Sequence, residues 1–100
     1  MDITKLNLLA YLREHDKERY LELLDEFDIR VLPQKDRIMK YLKDFGSITP
    51  LEAMKDLGIM RLGARIWELI REGWSIVRDM ESGENRYGQT THYARYRRAA

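Results

Sequence analysis

The chain has 100 residues, 44% hydrophobic and 35% charged, with a formal net charge of +1, which is enough for one modest core and a helical appendage. It has no cysteine and two histidines, His15 and His92, seventy-seven positions apart; disulfides, thiol catalysis and thiolate metal sites are excluded, and no metal or other cofactor is expected. No apolar run approaches membrane-spanning length and the first residues lack the basic-then-apolar order of a secretion signal, so a cytoplasmic location and no membrane partner are expected.

Residues Thr4 to Asp28 are predicted helical, because Leu6, Leu9, Ala10 and Leu12, then Tyr20, Leu23, Leu24 and Phe27, recur at spacings of three and four. Asp16 can cap a second helix with Glu18 in its first turn, so two short helices and one bent helix both fit. The acidic group Asp25, Glu26 and Asp28 lacks a loop glycine and further ligands, and reads as a solvated helix end. Pro33 biases Leu32 away from helix and opens a helix from Gln34 to Phe45. Ile38, Met39, Leu42 and Phe45 are expected inward there, with Lys35, Arg37, Lys40 and Lys43 outward. Gly46 ends that helix, and Ile48 is placed as a short third strand against a later hairpin.

Thr49-Pro50-Leu51-Glu52 is a helix start: the Thr49 hydroxyl accepts from a first-turn N–H, Pro50 sits where no N–H is needed, and Glu52 reaches back to the cap. Leu51, Met54 and Leu57 are expected to form its apolar stripe, and Gly58 its left-handed end. A second helix, about Arg61 to Glu72, places Leu62, Ile66, Leu69 and Ile70 on one side and Arg61, Ala64, Arg65, Glu68, Arg71 and Glu72 on the other. Gly63 costs about 1 kcal/mol of helix stability relative to alanine, which points to close approach of a groove wall or of a neighbouring helix. Trp67 fits neither side clearly, and Met39, Met54 and Met60 are assigned to packing.

After Gly73, Trp74, Ile76 and Val77 read as strand, Ser82-Gly83-Glu84-Asn85 as turn, Arg86-Tyr87-Gly88 as projecting loop, and Thr90, Thr91, Tyr93 and Tyr96 as the returning strand. Trp74 and Tyr96 are expected in the core, leaving Tyr87 to stack on a ligand. Charge is segregated along the chain: residues 1–31 carry five basic and eight acidic side chains, net −3, and residues 61–100 eight basic and five acidic, net +3. A basic carboxyl-terminal surface follows, suited to phosphate contact. Ser47, Ser75 and Ser82 have only His15 and His92 as bases and no motif around them, so no enzyme is expected.

From Gln34 the element order is α-β-α-α-β-β. With Gln34-Lys35-Asp36-Arg37-Ile38, Gly46 to Ala53, Leu57 to Ile66, Glu68-Leu69 and Gly73-Trp74 in view, the segment 34–98 resembles the winged helix-turn-helix domain of small bacteriophage and prophage proteins. The fold class implied is α+β, mainly α with a small β-hairpin. Residues 1–33 form an N-terminal helical extension for oligomerisation or partner binding. The resemblance makes the 61–72 helix the recognition helix, expected in the major groove of double-stranded DNA, and the 81–88 loop the wing. Arg61 and Arg65 stand where such a helix meets bases, with Ala64 and Glu68 on the same surface, Arg71 nearer a phosphate, and Asn85, Arg86 and Tyr87 in the wing. For each arginine the alternative is an i,i+3 or i,i+4 pair with an acid of its own helix. The implied function is a dimeric transcriptional regulator in a bacterial host. The alternative is a protein-interaction module, such as a phage-encoded inhibitor of a host defence or replication protein.

Overall fold

A computed structural model describes residues 3–99. The elements are α1 (Ile3–His15), α2 (Lys17–Leu24), a 3-10 turn (Ile29–Val31), α3 (Gln34–Phe45), β1 (Ser47–Ile48), α4 (Pro50–Leu57), α5 (Leu62–Arg71), β2 (Ile76–Glu84) and β3 (Thr90–Arg98). Five helices and a three-stranded antiparallel sheet of order β1-β3-β2 make an α+β winged-helix fold.

Local chemistry sets most of these boundaries. The Asp16 carboxylate accepts the Arg19 N–H from an extended backbone, which starts a new helix and separates α1 from α2. Thr49 and Glu52 complete a reciprocal capping box at the start of α4. Gly46 and Gly58, both left-handed, end α3 and α4. Ile48 pairs with Tyr96, so β1 ties the hairpin to the helices.

One continuous core runs through the molecule. Leu9 and Leu12 of α1 and Tyr20 and Leu24 of α2 pack with Ile38, Met39 and Leu42 of α3, Ile48 of β1, Leu57 of α4, Leu62, Ile66 and Leu69 of α5, and Trp74. Each buried large aliphatic side chain stabilises the fold by about 1.5–3 kcal/mol. At its edge lies a buried polar network. Arg13 Nη1 and Tyr20 Oη donate to the same oxygen of Asp36 at 2.9 and 2.7 Å, while Arg13 Nε and Lys35 Nζ donate to Glu72 at 2.9 and 2.6 Å. Four helices are thereby joined through paired charges, as burial requires. The Tyr20 hydroxyl is pushed up by burial and by Asp36. Arg13 is raised although burial opposes it, because Asp36 and Glu72 favour its charged form.

Several inward assignments are corrected. Phe45, in the last turn of α3, is 69% exposed and leans on Tyr41. In α4 the buried positions are Ala53 and Leu57, which turns Leu51 and Met54 to solvent. Ile70 and Met60 are likewise exposed, so of the three methionines assigned to packing only Met39 is buried. The hairpin turn is also later than its composition suggests: β2 pairs through Glu84 with Thr90, and the reversal spans Asn85–Gln89.

Candidate nucleic-acid interface

Helix α5 has three faces. Leu62, Ile66 and Leu69 enter the core; Arg65, Glu68 and Glu72 are half-buried toward α1 and α3; Gly63, Trp67, Ile70 and Arg71 face solvent. Arg65 bonds Glu68 at 2.6 Å, an i,i+3 pair, and its Nε is buried without a hydrogen-bond partner. Lys35 of α3 holds Glu68 at 3.7 Å and Glu72 at 2.6 Å. Leu6 and Ala10 of α1 line the same groove as Arg65, so the leading helix covers this side of α5. Glu72 lies below the ordinary carboxylate value: burial pushes it up, and the hydrogen bonds from Lys35 and Arg13 outweigh that push.

The outward face is different in character. Arg61 is the exposed N-cap residue of α5 and supplies no side-chain cap, at the end where the helix carries its partial positive charge. Arg71 lies over the Trp67 ring, 4.6 Å from its centroid, and Trp67 itself is 58% exposed. Ala64 is half-buried beside them.

The hairpin stands next to this face. Ile76, Arg78 and Met80 alternate along β2 and share a sheet face with Tyr96 and Arg98 of β3, as the pairings Ile76 to Arg98 and Arg78 to Tyr96 require. A groove of about 260 Å³ between helix and hairpin is lined by Gly63, Ile66, Trp67, Ile70, Ile76, Arg78 and Tyr96. At the tip, Asn85 is occupied by its own turn: its side-chain oxygen accepts the Tyr87 and Gln89 N–H groups and its amide donates to Gln89. Arg86 and Tyr87 project freely there.

Pairing sorts the cations. Arg13, Lys35, Arg65, Arg95 and Arg97 are held in ion pairs. Arg61, Arg71, Arg78, Arg86 and Arg98 meet no carboxylate among the described residues. The structure therefore leaves Arg61 exposed at the start of α5 and Arg71 exposed at its end, sets Arg86 and Tyr87 at the end of the hairpin, and turns Arg65 and Glu68 toward α1 and α3. Arg78 was missed by the sequence reading although the period-two alternation Ile76, Arg78, Met80 carries the signal.

Among the described residues no group of three His, Asp or Glu could hold a metal ion, and no helix is long and apolar enough to cross a membrane. Neither the curated proteins nor the solved structures contain a match to the chain. The sequence profile of the family described as the winged helix-turn-helix domain matches residues 33–98, from the residue before α3 through β3. Such domains typically bind DNA and carry no catalysis. With well over half its length matched, and with the element order and the antiparallel hairpin in place, the chain belongs to the winged helix-turn-helix domain family.

Proposed function

We propose that the chain binds double-stranded DNA, with α5 directed into the major groove and the hairpin tip against the neighbouring backbone or minor groove, and that it regulates transcription for a phage or prophage inside a bacterial host. The observation that carries the DNA reading is the set of arginines without acidic partners, Arg61, Arg71, Arg78, Arg86 and Arg98, on α5 and the hairpin. Each guanidinium that neutralises a phosphate releases counterions and steepens the salt dependence of binding. Arg61, Arg71, Arg86 and Tyr87 are assigned to contact, with Arg78 added. Ala64 borders the surface, Asn85 shapes the tip, and Arg65 with Glu68 fixes α5 against α3.

The phage setting rests on the sequence resemblance alone. Residues 1–33 are proposed as the dimer element, because α1 exposes Leu8 and Tyr11 beside its buried Leu9 and Leu12. The test is fluorescence anisotropy of a labelled mixed-sequence duplex between 50 and 200 mM salt. Arg71→Gln and Arg78→Gln should each reduce the logarithmic salt slope by about 0.9, and Arg65→Gln should leave it unchanged. No binding at 50 mM salt, or slopes indifferent to Arg71 and Arg78, would overturn the reading.

A second reading has its own support. Winged helices can also serve as scaffolds for protein contacts, and the middle of the exposed α5 face is occupied by Trp67 and Ile70, which favours a protein partner such as a host defence or replication component.

A further inference from the structure

The exposed side of α5 and the adjacent sheet face carry more apolar surface than duplex recognition uses. Met60, Trp67, Ile70 and Met80 are all exposed large hydrophobic residues. Trp67 and Ile70 line the groove whose other wall is Ile76, Arg78 and Tyr96. A duplex presents phosphates, sugars and mostly polar base edges, with thymine methyl groups as the main apolar feature of the major groove. Exposed apolar patches bounded by polar groups mark sites of protein contact, and Trp, Met and Arg are the residues enriched there.

The charge of the rim selects among protein partners. None of the groove-lining residues is acidic, Arg78 is one of them, and Arg71 lies on Trp67 at its border. Both guanidinium groups lack a carboxylate partner among the described residues. A basic segment would be repelled. A second copy of this chain, docked by two-fold symmetry on the same groove, would set Arg71 and Arg78 against their own images. An acidic segment supplies the missing countercharges. Gly63 adds no side chain to the helix wall, and Tyr96 Oη stands 3.7 Å from where a Cβ would be, so the exposed, apolar part of the groove lies along Trp67, Ile70 and Ile76.

We propose that the groove between α5 and the β2–β3 hairpin docks an acidic polypeptide segment carrying a large apolar side chain, which seats beside Trp67 while its carboxylates meet Arg71 and Arg78. The proposal deepens the protein-contact reading of α5 and does not require the duplex-binding one.

Random twelve-residue peptides displayed on a surface and panned against the full chain test it. Selected sequences should be enriched in Asp and Glu together with Leu, Phe or Trp. A labelled peptide of that type should bind at least tenfold more weakly to Trp67→Ala, to Ile70→Ser and to the Arg71→Gln, Arg78→Gln double variant. All of these alter exposed positions, and circular dichroism checks that each retains the fold. An empty selection, a basic or uncharged consensus, binding indifferent to Trp67, or self-association of the chain through this face would each overturn the proposal. Peptide binding by a chain that fails to bind duplex sinks the DNA reading alone, and duplex binding with an empty selection sinks only the docking site.

Discussion

Replacing Gly63 with alanine should make the protein more stable and its exposed helix less effective. Gly63 lies in the first turn of α5 and is not among the glycines with positive φ, so an L side chain fits its backbone without strain. A Cβ built there meets only Tyr96 Oη, at 3.7 Å, an ordinary van der Waals contact. The gain comes from the smaller conformational freedom of the unfolded chain and from helix propensity, together about 0.4–1 kcal/mol. For a domain of this size that is a rise in melting temperature of about 2–8 °C, read by thermal circular dichroism. The same substitution at Gly58 is the control: nothing lies within 4 Å, yet its φ of +68 is left-handed, so alanine there should cost about 1–2 kcal/mol. Anisotropy with a labelled duplex then asks what glycine does at position 63. If the bare backbone serves close approach, Gly63→Ala should weaken binding several-fold while the melting temperature rises. A lower melting temperature would refute the helix geometry at this position, and unchanged binding would remove the close-approach explanation.

Arg13→Met should cost about 3–5 kcal/mol in urea unfolding, because it leaves the buried Asp36 carboxylate with only the neutral Tyr20 hydroxyl and Glu72 with Lys35 alone; a loss below about 1 kcal/mol would show that water reaches Asp36. Glu72 titrates below its ordinary value when folded, so the stability it contributes is complete above the unfolded carboxylate range near about 4.3 and is lost as pH falls through the folded value. The urea midpoint should therefore stay flat from neutrality to mildly acidic pH and then drop, and Glu72→Gln should lower the neutral plateau and shrink the drop; a wild-type and variant difference independent of pH would contradict this. Leu8→Glu with Tyr11→Glu changes two exposed α1 positions and should leave stability within about 0.5 kcal/mol while converting a dimer to monomer in analytical ultracentrifugation; a dimer that survives both substitutions would move the interface elsewhere.

What could be read from the chain divides by range. Asp16, Thr49 with Glu52, Gly46 and Gly58 act within four residues, and their caps and stops are all present as expected. The pairing of Ile48 with the hairpin was also legible, since an isolated β-former before a capped helix has little else to bond. Helical spacing, however, gives the direction of an apolar stripe and not its width. In α4 the small Ala53 occupies the centre and displaces Leu51 and Met54 to the margins, and the hairpin leaves Ile70 uncovered. Composition also failed to place the reversal, because Ser82-Gly83 has turn character, whereas the Asn85 side chain closes the actual turn. The Arg65–Glu68 pair is the i,i+3 alternative that helical spacing offers, whereas the cover of that side by Lys35 and α1 comes from residues thirty or more positions away, and no local pattern reports it.

Glu72, the last residue to close α5, is gripped from two sides by Arg13 and Lys35. The leading helix is thus bolted to the far end of α5. Cutting the chain after residue 33 would strip Asp36 of both Arg13 and Tyr20 and leave Glu72 with Lys35 alone, so excision of the winged-helix segment at the sequence boundary should loosen it.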